Sequence, residues 1–304
     1  MTKIAFLSIA LLLLTGSRLN SLSHVTQDNT DQIALARRRV REPPGKTEFM
    51  TRVVRVPLVG SKTLPLVEAK LNGKGPYKFL VDSAANVTLL QMRVADEVNL
   101  TVLRPGERSK LVLVESIEIG GARFKDLVVG ARSWNENIDG VIGFNLFAHC
   151  LLTIDYPRQH LVLRQGVLPK PNGKDIFAFG LDNGSPTLGV TIQNESLTVL
   201  LDTGTVPGLV LPDGPLAKKL RYSSGPSPGA TLSSFQTAES QALVGQLDGS
   251  LNIGIHEISR PTIHIWKDEL PVLGSGLLQY FVLTFDQRNG TVRISVLVWN
   301  FRKP

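Results

Sequence analysis

Short runs rich in Val, Leu and Ile, broken by Gly and Pro, fill the chain from Val53 to Val296. That pattern predicts strands and turns rather than long helices. "KFLVD" (Lys78 to Asp82) and "TVLLD" (Thr198 to Asp202) are unbroken apolar runs that end on a carboxylate, as buried strands would. "LLTID" (Leu151 to Asp155) and "FVLTFD" (Phe281 to Asp286) end on aspartates that lead into turns. "IDYPRQHLVL" and "FDQRNGTVRI" predict β-hairpins, turning at Pro157-Arg158-Gln159 and at Asn289-Gly290. Helical spacing is confined to two short stretches, Gln91 to Val98 and Pro215 to Leu220. The fold class expected is mostly β.

These elements come twice. Asp82 aligns with Asp202 at an offset of 120, and "SIEIGGARFKDLVV" (from Ser116) aligns with "SLNIGIHEISRPTIHI" (from Ser250) at 134. "DGVIGFNLFAHCLLTIDYPRQHLVL" (Asp139 to Leu163) aligns with "LPVLGSGLLQYFVLTFDQRNGTVRI" (Leu270 to Ile294) at 131, pairing Gly143 with Gly274. Three blocks in one order at near-constant spacing indicate an internal duplication. Its boundary falls in "RQGVLPKPNGKD", Arg164 to Asp175. The expected organisation is a signal segment at 1–17, a flexible arm at 18–50, and two lobes at 51–166 and 167–300.

The N-terminus changes the picture further. Lys3 precedes an apolar stretch, Ile4 to Leu14, then "TGS". This is the charged start, short core and small-residue exit of a secretory signal peptide, too short for the ~20 residues of a spanning helix. Export to a periplasmic or extracellular space is expected, with an uncleaved membrane anchor as the alternative. Cys150, the single cysteine, leaves no intrachain disulfide and sits in an apolar setting, where a buried inert thiol is expected. Asn86 is one of five N-x-S/T sequons, but a glycan four residues from Asp82 would obstruct any site there. A bacterial-type route without glycosylation is preferred.

The net charge of +7 comes with no nucleic-acid motif and only 6% aromatic residues, so a solvated basic surface is expected and no nucleic-acid partner. The five histidines show no metal-ligand spacing, so neither a metal nor another cofactor is expected.

An aspartate that ends a buried strand needs donors around it, or its charged form is disfavoured. The residues that follow Asp82 and Asp202 supply them: Ser83 and Thr203 bring hydroxyls, and Gly204 permits close backbone approach. Two such turns meeting between lobes could share one proton and activate a water. Here "LLDTGT" with "GLVLP", and "GVIGFNLF" with "PVLGSGLL", resemble the catalytic loop and buttress motifs of the retropepsin-like aspartic proteases. The resemblance spans roughly Val53 to Val296. It implies a single-chain, two-lobed aspartic-protease (retropepsin- or pepsin-like) β-barrel fold, without cofactor, and with a polypeptide substrate in the inter-lobe cleft. It further implies Asp82 and Asp202 as the catalytic pair, Ser83 and Thr203 interlocked beneath it, and Gly143 and Gly274 as buttresses. A monomer is expected. Flap hairpins would come from Val102 to Leu111 and from Ser223 to Ser234, the longer second one being the working flap.

The departure from the pattern is Ala84, where the family has glycine. If the backbone there needs a positive φ, alanine is strained; if not, the methyl group need only find space. The first copy also has Ala85 where the second has Thr205. Two further readings stay open: a pseudoprotease that binds peptides without cleaving them, and an envelope protein of purely structural role.

Overall fold

The computed structural model describes residues 3–5, 35–106, 108–233, 240–267 and 270–296. The expected signal segment and the first part of the arm lie largely outside them. Strands dominate in three sheets: one within the first half of the chain, one in the second half joined at its edge by Lys3–Ala5, and a third built from both halves. Within that third sheet Leu151–Asp155 of the first copy runs antiparallel to Val282–Asp286 of the second, with Thr153 opposite Thr284. Their hydroxyls are hydrogen bonded at 2.9 Å. Since these residues are related by the repeat offset of 131, the sheet lies across the local two-fold relation of the copies. Each central strand is followed by its predicted hairpin partner, His160–Arg164 and Thr291–Ser295.

The strand at the heart of each lobe is the one carrying the aspartate. Lys74–Asp82 runs parallel to Gly140–Gly143, with Gly143 beside Asp82. Glu195–Asp202 runs parallel to Val272–Gly274, with Gly274 beside Asp202. In both copies the chain leaves the aspartate, loops, and returns on the far side of the glycine strand as Leu89–Gln91 or Leu209–Pro212. Buried strands with side chains packed on both faces explain why the sequence shows continuous apolar runs there instead of alternation. The predicted helices are present as Met92–Val98 and Pro215–Lys219. The block aligned at 134 also holds: Gly120 and Gly254 both turn their hairpins at positive φ, 55° and 57°.

The expected arm needs correction in its second part. Residues 35–39 form a helical turn, and Lys46–Phe49 pairs with the strand Ala122–Arg132 of the first lobe. Ala36 and Val40 are buried. Two small apolar residues four apart are too sparse to register as periodicity, so nothing in the chain marks this stretch as docked.

Candidate active site

Asp82 and Asp202 are both fully buried at the junction of the lobes. Asp82 Oδ1 accepts from Ala84 N at 2.8 Å and from Ala85 N at 3.2 Å. Asp82 Oδ2 has no partner other than the neighbouring carboxyl group, whose charge and hydrogen bonding reach Asp82 directly. Asp202 Oδ1 accepts from Gly204 N at 2.8 Å, and Oδ2 accepts from the Thr205 hydroxyl at 2.6 Å. Burial first, and the Asp202 charge second, push the Asp82 carboxyl well above the usual carboxylate range. The two groups titrate as one coupled pair. Beneath them, Tyr156 is buried and its phenol is raised by burial and by the charges of Asp202 and Asp82.

The hydroxyls of Ser83 and Thr203 interlock across the junction. Ser83 N donates to Thr203 Oγ1 at 2.9 Å, and Thr203 N donates to Ser83 Oγ at 3.1 Å. Each hydroxyl then donates to a carbonyl of the opposite strand, Ser83 Oγ to Leu201 O at 2.6 Å and Thr203 Oγ1 to Val81 O at 2.8 Å. Four hydrogen bonds thereby satisfy six buried polar groups, which makes the contact specific as well as stable.

The buttress glycines are set by space. Neither Gly143 nor Gly274 has a positive φ. A Cβ on Gly143 would lie 2.5 Å from the Val87 carbonyl, and one on Gly274 would lie 2.1 Å from Pro207 O. Their strands can thus run directly against the aspartate loops. The next residues, Phe144 and Ser275, donate their N–H groups at 2.7 Å to Ala85 O and Thr205 O respectively.

Ala84 also resolves into a question of space. It lies outside the positive-φ region, so its backbone is unstrained. Its methyl group is buried in an apolar cluster of the second lobe with Leu200, Val210, Trp266 and Val272. Gly204 also lies outside that region, yet a Cβ there would sit 2.6 Å from Asp82 Cγ. The copies therefore differ: one tolerates a methyl group and the other has no room for it.

Other expectations resolve locally. Asp155 and Asp286 cap turns, accepting from Arg158 N and from Asn289 N. Asn86 is buried and its amide donates to Asn183 O at 2.7 Å, so that sequon is used internally. Cys150 is buried and its thiol is pushed up to about 12. No cluster of His, Cys, Asp and Glu suited to a metal occurs among the described residues; His24 lies outside them. Both copies carry a hairpin where flaps were expected, Thr101–Arg104 with Ser109–Ile119 and Tyr222–Ser233 with Ser240–Leu247. The tip of the second, 234–239, lies outside the described residues. Sequence reasoning missed Tyr156, Ser185 and Asn145. Asn145 Nδ2 donates to Val40 O and Glu42 O, while Ala36 and Val40 share a cluster with Ala85 and Val87 of the Asp82 loop. Only an apolar residue before a turn, a serine before a proline and an asparagine beside the buttress marked them.

Comparison with known proteins finds similarity to aspartic proteases. Residues 67–146 match the family model for aspartyl protease. An aspartic proteinase from Irpex lacteus matches in structure with a TM-score of 0.53 at 12% identity, over 82% of this chain and 99% of that one. A retropepsin-like aspartic protease from Rickettsia conorii matches at 19% identity, over 40% of this chain and 94% of that one, with a TM-score of 0.31. No curated protein matches in sequence.

Proposed function

We propose that this chain, which has the two-lobed fold of the aspartic proteases, is an exported endopeptidase acting through Asp82 and Asp202. The observation that carries the reading is the buried pair itself, with interlocked hydroxyls below it and a matching backbone donor in each loop. Nothing structural requires two carboxyl groups to be buried against each other, since such a pair is costly unless it shares a proton.

Asp82 holds that proton, because its carboxyl is raised. Asp202 is the ionised partner, held by Gly204 N and the Thr205 hydroxyl. Asp202 takes a proton from a water, the water oxygen bonds to the peptide carbonyl carbon, and Asp82 gives its proton to the carbonyl oxygen. The resulting gem-diol returns a proton to Asp82 as the C–N bond breaks, and Asp202 passes the proton it took to the leaving nitrogen. Both groups end as they began, so no cofactor enters the balance. The substrate is a polypeptide, bound extended in the cleft where it can pair with hairpin backbone as an added strand. The peptide-binding reading rests on Ala84, and the unstrained backbone there favours the catalytic reading over it.

The test incubates the full chain and Asp82→Asn with a diverse peptide pool across pH, with and without a statine-type inhibitor. Cleavage that the inhibitor and the substitution both abolish is expected. Inhibitor binding without cleavage by the wild type at any pH would leave a peptide-binding protein instead.

A further inference from the structure

The two aspartates are supported differently. Asp202 receives a hydroxyl from its own loop, Thr205, at the place where the first copy has Ala85. Asp82 receives backbone N–H groups alone, from Ala84 and Ala85. The second lobe makes up the difference. Ser185, buried, donates its hydroxyl to Ala84 O at 2.6 Å. The carbonyl it holds belongs to the same peptide group whose N–H, on Ala85, faces Asp82 Oδ1.

A peptide group is one rigid plane, so fixing its oxygen fixes the direction of its N–H. Hydrogen bonding at the carbonyl also polarises the group and strengthens the N–H as a donor. The matching position in the first lobe gives the second loop no such support. Thr187 faces Leu200, two residues before Asp202, and Leu66 faces Leu80, two residues before Asp82. That register matches Ser185 with Leu64, which has no hydroxyl to offer the second loop. The same turn makes a second contact, Asn86 Nδ2 to Asn183 O at 2.7 Å, which does not touch the Ala84–Ala85 peptide.

We propose that Ser185 is a positioning residue for Asp82: through Ala84 O it aims the Ala85 N–H at Asp82 Oδ1, replacing from the other lobe the hydroxyl that Ala85 lacks. The proposal rests on the reading of Asp82 and Asp202 as the working pair. The titratable groups around Asp82 are Asp202 across the junction and the buried Tyr156 phenol, and Ser185 touches neither directly. Losing the Ser185 bond weakens a donor to the ionised form of Asp82, so the proton should bind more tightly.

The experiment titrates aspartate carboxyl carbons by NMR in the full chain, with Asp82→Asn to assign the pair. Wild type is compared with Ser185→Ala, Ser185→Thr and Asn86→Ala, and thermal melting checks that each is folded. Ser185→Ala should raise proton affinity at the upper step of the pair about three- to tenfold, the worth of one ordinary hydrogen bond. Ser185→Thr should restore the wild-type value. Asn86→Ala should lower melting temperature without moving the step. Where peptides are cleaved, the alkaline limb of the rate profile should shift by the same factor in Ser185→Ala. An unchanged titration in Ser185→Ala, or an equal shift in Asn86→Ala, overturns the proposal. Absence of cleavage in the wild type with the shift present would instead refute the peptidase reading and leave the positioning role standing.

Discussion

Replacing Gly204 by alanine tests whether space or backbone conformation dictates the residue beside each aspartate. The added Cβ would lie 2.6 Å from Asp82 Cγ, 2.7 Å from Oδ2 and 3.1 Å from Oδ1. Ordinary contacts begin near 3.4 Å, so the Asp82 carboxyl or the Gly204 loop must move by about 1 Å. A displacement of that size at reacting groups costs about 10²-fold in rate. Gly204→Ala should therefore lower kcat/KM about a hundredfold. The reverse exchange, Ala84→Gly, removes a buried methyl group and loosens the unfolded chain. It should cost about 1–2 kcal/mol of stability while changing kcat/KM by only a few fold. The assay is kcat/KM on a peptide found in the pool screen, beside urea unfolding of each variant. A fully active Gly204→Ala would refute the reasoning, as would a large gain of activity in Ala84→Gly.

Stability should respond to pH through Asp82. Its folded carboxyl is raised above the unfolded value, so the folded state binds more protons from about pH 4, the ordinary aspartate value, up to its own titration. Stability from this group is present at low pH and is lost as pH rises through that window; Asp82→Asn should flatten the dependence in urea unfolding at pH 4 and pH 7, and should be inactive. Gly143→Ala and Gly274→Ala would drive a methyl group into loop backbone and should each cost about 3 kcal/mol, at the top of the overpacking range, with activity lost. Val40→Asp should release the docked 35–42 stretch from the cluster it shares with Ala85 and Val87. Since the loop holding Ala85 and Val87 carries donors to Asp82, the substitution is expected to lower both the melting temperature and kcat/KM, and unchanged kinetics would show that the stretch does not support the loop.

What the sequence determined by itself is local and repeated. An apolar run ending in aspartate must become a buried strand, and the turn after it must bring donors to the carboxyl group, which its backbone N–H groups do in both copies. A glycine at the matched place in each copy marks where strand meets loop. These rules act over a few residues, and the duplication doubles their signal, so Asp82, Asp202, Ser83, Thr203, Gly143 and Gly274 could all be named from the chain. Tertiary structure decided the asymmetries. Whether Ala84 is strained depended on a dihedral angle and on the cluster that receives its methyl group, which is built from residues more than a hundred positions away. Ser185 reaches Ala84 across 101 residues, and Asn145 reaches Val40 across 105. A hydrogen bond between distant segments leaves no period in the sequence, because its two ends are brought together only by how the chain packs.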